Sequence, residues 1–340
     1  MTKKIVTFGE IMLRLSTSDH QRLMQSGKFN GDYGGSEANV AISLAQFGDP
    51  VEFITRVPDN AMGRAALLHL QQYGLSTRHI AIGGDRLGTY YFEGAAALRS
   101  SKVVYDREGS SFATLHRGDI RWEDIFEDAG LFHCSGITCA TSAEACTTTL
   151  DAMESARRHG LVVTCDINYR KNLWRYPGAN AQQTLAKIVG QSEFVFGDQD
   201  EWEVASGMKA IPFEAPDADY ELDLNAYADY FDHLHRQFPS CRRMLMALRN
   251  QMTSSHHTLT GILWAEGRLY TTRIYDITGI VDAMGVGDAF VAAFIHAFYK
   301  WKGDEQRCLD FALTASALKN SVPGDQNLIT EEEVEEEMRR

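Results

Sequence analysis

The chain has 340 residues, 44% of them hydrophobic, and a formal net charge of −13. This charge argues against nucleic acid or an anionic membrane as a general partner, because both would repel the protein. The run from Lys3 to Glu10 has too few apolar residues for a signal sequence, and no stretch reaches the roughly 18 apolar residues of a membrane span. The six cysteines lack the spacing of a metal site or redox motif, as in a reducing compartment. We therefore expect a cytoplasmic protein.

Strand-like and helix-like patterns alternate along most of the chain. Predicted strands cover residues 5–8, 51–55, 131–134, 162–166, 194–196, 244–247, 259–264 and 269–275. Predicted helices cover residues 37–47, 61–73, 143–159, 224–237, 289–301 and 305–320. This alternation predicts an α/β protein with a doubly wound sheet flanked by helices, and residues 1–340 are expected to form a single domain.

Two segments, approximately residues 12–32 and 86–107, break this alternation. Both show strand-like alternation of apolar and polar residues without an intervening helix. The pattern therefore predicts two β-rich insertions.

A glycine-rich turn, Gly285-Val286-Gly287-Asp288, directly precedes an apolar helical run. The first N–H groups of a helix lack intrahelical acceptors, so such a turn can bind an anion. Glycines let the backbone approach a phosphate closely, and Asp288 could accept the proton of a substrate hydroxyl. The alternative is a tight turn in which Asp288 only caps the helix.

A second glycine-rich turn, Gly34-Gly35-Ser36-Glu37-Ala38-Asn39, opens a helix near the N-terminus. Together the two turns resemble those of the ribokinase-like (PfkB) carbohydrate kinases, which phosphorylate a sugar hydroxyl from ATP. The resemblance extends from Phe8 to Asp325 and implies a mostly parallel ribokinase-like sheet. It also implies that the two insertions form a small β-sheet lid. Such lids are often shared between subunits, so a homo-oligomer is expected, as a dimer through the lid or a higher assembly.

Three further segments, 103–107, 132–138 and 165–170, resemble 2-keto-3-deoxygluconate kinases, whose substrate carries a carboxylate. A guanidinium pairs bidentately with a carboxylate, which suits Arg107 and Arg170 to that substrate. Taken alone, Arg107 could be a surface residue and Arg170 could pair with Asp166. The substrate-binding residues implied by the resemblance are Gly34, Gly35, Asn39, Tyr90, Tyr105, Arg107, Asn168, Arg170 and Asp288.

The segment from Phe196 to Glu201 resembles the family element that arranges Mg²⁺ and phosphate through water. Asp198 stands where the family has asparagine, so Glu201 is the safer candidate for a water-mediated Mg²⁺ contact. The implied cofactors are ATP and Mg²⁺. The implied cofactor-binding residues are Asp198, Glu201, Arg249, Gly285, Gly287 and Asn320.

The reaction implied by the resemblance is direct in-line transfer to the terminal hydroxyl of the sugar acid. Asp288 would act as the base, and the N–H groups of Gly285, Val286 and Gly287 would stabilise the moving phosphoryl group. We expect Asp288 to stay ionised, because the positive end of a helix dipole lowers the pKa of a carboxylate.

Alternatives remain open at this point. The chain could phosphorylate another sugar acid, including the galactonate epimer, or a neutral sugar such as fructose or ribose. It could also be a catalytically weak sugar-binding or regulatory protein on a kinase fold. Val286, Asp198 and Ala283 replace residues more usual in the family and favour the last reading, whereas the intact Asp288 argues against it.

Overall fold

The computed structural model describes residues 3–213, 215 and 217–340. The strands are β1 (Lys4–Phe8), β2 (Met12–Ser16), β3 (Asn30–Gly34), β4 (Val51–Ile54), β5 (Arg56–Val57), β6 (Ala81–Ile82), β7 (Gly88–Glu93), β8 (Lys102–Asp106), β9 (Ala129–Ser135), β10 (Val162–Asp166), β11 (Phe194–Phe196), β12 (Arg243–Thr253), β13 (His256–Ala265), β14 (Arg268–Thr271) and β15 (Tyr275–Thr278). The helices are α1 (Ser36–Gln46), α2 (Ala61–Gln72), α3 (Trp122–Phe126), α4 (Gly136–Cys139), α5 (Ala143–Arg158), α6 (Ala181–Val189), α7 (Gln199–Ser206), α8 (Leu224–Gln237), α9 (Val286–Lys300), α10 (Glu305–Lys319) and α11 (Glu331–Met338).

The large sheet is mostly parallel. Its order is β14-β13-β12-β11-β10-β9-β1-β4, and β15 also pairs with β13. The strands from β4 to β12 in this order run parallel, whereas β13 is antiparallel to β12, β14 and β15. The central strands are buried along nearly their whole length, as expected for parallel strands covered on both faces.

Two hydrophobic cores lie on opposite faces of this sheet. One contains Phe132 and Val163 together with side chains of α5, α6 and α8. The other contains Leu131 and Phe194 together with side chains of α9 and α10. Leu131 and Phe132 are neighbours in β9 and enter different cores, because successive side chains of a strand point to opposite faces. The predicted doubly wound, mostly parallel α/β architecture is confirmed.

A separate small sheet has the order β3-β2-β7-β8, and its central pair, β2 and β7, is parallel. These strands come from the two predicted insertions, with β3 extending to Gly34. Met12, Arg14, Tyr90 and Phe92 lie on its inner face, toward a cleft above the large sheet. The two insertions are β-rich as the pattern predicts, and they form the small separate sheet that the resemblance implies.

The prediction of one strand over residues 269–275 is wrong. The chain forms β14 and β15, which pair with different halves of β13. The break lies at Thr272, whose N–H donates to Gly261 O while its Oγ1 accepts the Gly261 N–H. A side chain thus replaces one backbone partner, and the strand is interrupted.

Thr330 caps the start of α11. Its side chain accepts from Glu333 N–H, and the Glu333 side chain accepts in return from Thr330 N–H. Among the described residues, no helix combines the length and apolar character required to cross a lipid bilayer.

Candidate active site

A cleft with a volume of 1130 Å³ lies between the small sheet, the carboxyl ends of β10 and β11, and the start of α9. Open α/β sheets bind ligands at this edge. It brings together most of the predicted site residues: Gly35, Asn39, Tyr90, Tyr105, Asn168, Arg170, Asp198, Glu201, Arg249, Gly285, Val286, Gly287 and Asp288. Three predicted residues, Gly34, Arg107 and Asn320, do not line it.

Asp288 lies in the first turn of α9 and is held by the first turn of α1. Ser36 Oγ donates to Asp288 Oδ1 at 2.9 Å, and Asn39 Nδ2 donates to Asp288 Oδ2 at 2.7 Å. The two glycine-rich turns, far apart in the sequence, therefore meet at one carboxylate. Each carboxylate oxygen keeps a lone pair for a ligand hydroxyl.

The environment of Asp288 raises its pKa to about 6. Burial is the largest cause, and the negative charge of Asp325 adds to it. The hydrogen bonds from Asn39 and Ser36 and the charge of Arg170 act in the opposite direction. The expectation that the helix dipole would lower this pKa is therefore wrong, because the loss of water outweighs it.

The turn before α9 carries a row of open backbone N–H groups, those of residues 285–288, which we call the donor row. Ala289 N–H donates to Gly285 O at 2.9 Å, whereas the N–H groups of residues 285–288 have no acceptor within the described part of the chain. Gly285 has a left-handed φ of 74°, and a Cβ atom there would overlap the backbone oxygen of Asp325. At Gly287, by contrast, a Cβ atom would meet no protein atom within 4 Å. The open space beside these donors suits an anion.

The side chain of Val286 packs in the core around α9. It is 7% exposed, and its backbone oxygen accepts from Ser316 Oγ at 2.9 Å. The branched side chain therefore finds room without obstructing the donor row.

Asn168 and Arg170 follow the end of β10. Asn168 has a φ of 40°, which asparagine tolerates better than most residues, and its Nδ2 donates to Ser36 Oγ at 2.9 Å and to Asp166 Oδ2 at 3.1 Å. Arg170 is 47% exposed, and its Nη1 lies 3.4 Å from Glu201 Oε1. Its guanidinium therefore keeps donors free for a ligand.

Asp198 and Glu201 form a capping box at the start of α7. Asp198 Oδ1 accepts from Glu201 N–H at 2.9 Å, and Glu201 Oε2 accepts from Asp198 N–H at 3.0 Å. A cap requires an acceptor, so aspartate serves here as well as asparagine would. Burial and the neighbouring Asp198 raise the pKa of Glu201 to about 7.

Comparison with known protein families matches residues 2–233 to the pfkB family carbohydrate kinases. The chain is a PfkB carbohydrate kinase. It is 30% identical to 2-dehydro-3-deoxygalactonokinase of Haloferax volcanii, over 100% of this chain and 98% of that protein. It is 26% identical to 2-dehydro-3-deoxygluconokinase of Bacillus subtilis, over 94% of this chain and 90% of the relative. The crystal structure of 2-dehydro-3-deoxygluconokinase from Thermotoga maritima superimposes with a TM-score of 0.91 at 35% identity, covering 99% of this chain and 100% of that one. The protein is thus an ATP-dependent sugar kinase.

Arg107 of this PfkB kinase is buried against another side chain. Its Nη2 lies 2.6 Å and its Nε 2.7 Å from Glu10 Oε2, and the residue is 6% exposed. The structure does not place Arg107 on the cleft surface, because its guanidinium pairs with the buried Glu10 carboxylate. Its guanidinium instead lies 5.8 Å from the centre of the Tyr105 ring, which does line the cleft.

Tyr90 and Gly34 of the kinase meet at Asp325. The Tyr90 hydroxyl donates to Asp325 Oδ2 at 2.5 Å, so its proton is not available to a substrate. A Cβ atom at Gly34 would overlap both of these groups. Gly34 is therefore explained by close approach of Asp325, and it does not lie on the cleft wall.

Asn320 of the kinase lies behind the cleft. Its Nδ2 donates to Ser316 O at 3.1 Å and to Ala317 O at 3.2 Å, and the residue is 2% exposed. Its backbone oxygen accepts from Val281 N–H at 2.9 Å. The structure therefore gives it a contact with the segment before the turn, and its amide is used within α10.

Sequence reasoning missed Ser36 and Arg14. Ser36 lies inside the recognised Gly-Gly motif, and a hydroxyl at the start of a helix is a signal that could have drawn attention to it. Arg14 gives no comparable local signal, because its partners, Asp282 and Asp325, are remote in sequence.

Proposed function

We propose that this PfkB kinase phosphorylates 2-keto-3-deoxygluconate to its 6-phosphate, using ATP and Mg²⁺. The names of three similar proteins support a 2-keto-3-deoxy sugar acid as the substrate class. One observation carries the proposal of phosphoryl transfer at this site: Asp288 is fixed by Ser36 and Asn39 beside a row of open backbone N–H groups.

Asp288 acts as the base in this proposal. A carboxylate with a pKa of about 6 is ionised at neutral pH, yet it is more basic than an exposed aspartate. It accepts the hydrogen bond of the terminal hydroxyl, aims the oxygen at the γ-phosphate and takes the proton as the new bond forms. The hydrogen bonds from Ser36 and Asn39 keep the carboxylate in this orientation.

The donor row at the start of α9 stabilises the transferring phosphoryl group. Charge on its equatorial oxygens meets the N–H groups of Gly285, Val286 and Gly287, which need no reorganisation. Because the site at Gly287 is open, the phosphoryl group can lie directly against the backbone.

Arg170 recognises the carboxylate of the sugar acid. It lines the cleft at the end of β10 and is half exposed, and its contacts with Tyr169 O at 3.0 Å and Glu201 Oε1 at 3.4 Å both use Nη1. A planar guanidinium with free donors can pair bidentately with a carboxylate. A neutral sugar would make no use of this pairing.

The acidic groups of the cleft fit a divalent cation held through water. Burial, together with the charges of Glu201 and Asp288, raises the pKa of Asp166 well above its ordinary range although the charge of Arg170 opposes the shift, so one arginine does not offset this group of carboxylates. No cluster of three or more His, Cys, Asp or Glu among the described residues is arranged for direct ligation. Glu201, with Asp198 and Asp166 beside it, would hold hydrated Mg²⁺, which offsets charge on the phosphates of ATP.

The test is a coupled ADP-release assay with Mg²⁺-ATP on 2-keto-3-deoxygluconate, its galactonate epimer, fructose and ribose. Turnover of the keto-acids alone is expected, with loss by at least about 1000-fold in Asp288→Asn. Turnover of neutral sugars at equal efficiency would exclude acid recognition while leaving the kinase intact. A fully active Asp288→Asn variant would exclude the base.

Two cleft arginines serve as matched variants in the same assay. Arg170→Met is expected to raise the KM for the keto-acid by about 10- to 100-fold, since it removes a charged pairing. Arg249→Met, which alters an exposed guanidinium on the β12 side of the cleft, is expected to raise the KM for ATP. If Arg170→Met raised the KM for ATP and Arg249→Met raised the KM for the keto-acid, the two arginines would exchange these roles.

A further inference from the structure

Arg14 of the small sheet is bound between two carboxylates from the other side of the cleft. Its Nη2 lies 2.7 Å from Asp282 Oδ2, and its Nη1 donates to Asp325 Oδ1. Its guanidinium carbon lies 4.3 Å from the centre of the Phe92 ring, and its side chain is only 4% exposed. Both ends of the fork are used and Nε is buried, so Arg14 has no second fork for a ligand carboxylate.

Each of these aspartates contacts the segment that shapes the turn before α9. Asp282 Oδ1 accepts from Met284 N–H at 3.0 Å, and Asp282 Oδ2 accepts from Gly324 N–H at 3.1 Å. The backbone oxygen of Asp325 lies directly against Gly285. The Asp282 carboxylate and the Asp325 backbone therefore contact the donor row from two sides.

The network is closed by a second buried cation and by the small sheet. Lys319 Nζ donates to Val322 O and Gly324 O, each at 3.0 Å, and thereby holds the segment that carries Asp325. The Tyr90 hydroxyl, from β7, donates to Asp325 Oδ2. Two cations face two carboxylates, so removal of one cation leaves an uncompensated buried charge.

We propose that Arg14 is a positioning residue of the kinase reaction: through Asp282 and Asp325 it holds the donor row in the geometry that transfers phosphate and ties it to the docked small sheet. The proposal rests on phosphoryl transfer at this site and not on the identity of the sugar. When Arg14 and Tyr90 are engaged, the small sheet covers the cleft and the turn is fixed in the same arrangement. Arg14 thus couples two events: the small sheet excludes water from the cleft, and the donor row takes up the geometry needed for transfer.

The network also acts on Asp288 through charge. Ionisable side chains that influence Asp288, or are influenced by it, are Asp325, Arg170, Asp166, Glu37 and Lys319. Of these, Asp325 is the one that Arg14 neutralises. Loss of Arg14 should therefore strengthen the negative field at Asp288 and move the acid limb of the kinase pH profile upward, which simple loosening of the fold would not do.

The test compares Arg14→Met and Arg14→Lys with Arg86→Met, a control at the outer edge of the small sheet that pairs with the exposed Asp106. Arg14→Met should lower kcat by at least about 100-fold, with KM values for ATP and sugar changed by less than about 3-fold. The midpoint of the acid limb of its pH–rate profile should rise by about one pH unit. Adding Asp325→Asn should return this midpoint to the wild-type value without restoring kcat. Arg14→Lys keeps the positive charge but loses the two-pronged guanidinium. It should keep the acid limb of the wild-type pH profile and have a kcat between those of wild type and Arg14→Met.

Hydrogen exchange gives a readout independent of the sugar. In Arg14→Met, amides of residues 282–288 and of β7 should exchange faster together, whereas Arg86→Met should leave both unchanged. If Arg14→Met does not fold, Arg14→Lys and Asp325→Asn carry the same measurement. Unchanged kcat, a loss confined to the sugar KM, or unchanged exchange at residues 282–288 would overturn the proposal. Wild-type protein without kinase activity on any sugar would instead count against the proposed function, and the exchange result would still decide the role of Arg14.

Discussion

The two glycine-rich turns of this kinase open helices in similar ways and contribute different chemistry. At the start of α1 the functional atoms belong to side chains, since Ser36 and Asn39 donate to Asp288. At the start of α9 the backbone itself faces the cleft, with Gly287 exposed and Asp288 half-buried. Under the proposed function, one glycine motif serves the packing of the protein and the other serves the approach of a ligand.

The glycines of the α9 turn separate these two roles most strongly. Gly285→Ala should reduce kcat by at least about 100-fold and destabilise the fold by about 1–3 kcal/mol, because of its left-handed φ and the overlap with Asp325. Gly287→Ala should reduce kcat as strongly while changing stability by less than about 1 kcal/mol, since no protein atom opposes its Cβ. Denaturant unfolding and steady-state kinetics measure both effects. Gly27→Ala, at an exposed site with equally open space, is the control that should change neither. An active Gly287→Ala would show that phosphate does not approach at that position.

Asp288 should cost the protein stability at neutral pH. Its folded pKa of about 6 lies above the ordinary value of 3.8, so the folded state binds the proton more tightly than the unfolded chain does. Stability from this group is present below about pH 4 and is lost as pH rises to 6 and above. Asp288→Asn should therefore gain about 2 kcal/mol at pH 7.5 and much less at pH 4. The buried Asn39 Oδ1, which has no partner within the described residues, can turn to accept from the new amide.

Urea unfolding of both proteins at the two pH values measures that difference. A gain that is the same at both pH values would mean that the carboxylate charge is not its source.

Ser36 should show the smallest effect of the set. Ser36→Ala removes one donor to Asp288 and should lower kcat by about 10-fold, with an upward shift of the acid limb, because that donor favours the ionised form. The matched change Ser321→Ala, at an exposed hydroxyl that donates to a helix carbonyl, should leave kinetics unchanged. A pH–rate profile of the two variants measures the shift. An acid limb that does not move in Ser36→Ala would mean that the α1 turn does not tune the base.

Local patterns in the sequence were sufficient for most strands of the large sheet, for the two β-rich insertions and for the turn that carries Asp288, whereas the small sheet was implied by the family resemblance. They failed where a partner is remote: Glu10, which binds Arg107, lies 97 positions away, and Asp325 lies 311 positions from Arg14. They also failed for the pKa of Asp288, because the helix dipole is a local property and burial is a property of the folded chain. The prediction of one strand over residues 269–275 failed because the side chain of a single threonine, Thr272, replaced a backbone hydrogen-bond partner.

The unequal surroundings of Gly285 and Gly287 have an evolutionary consequence. The fold itself demands glycine at Gly285, where the backbone of Asp325 excludes any side chain. At Gly287 the fold tolerates a larger residue, so only an arriving ligand can restrict that position. A descendant that binds sugar but has ceased to transfer phosphate should therefore drift at Gly287 first and retain Gly285. Under the proposed mechanism, selection for chemistry would act on position 287 and selection for the fold on position 285.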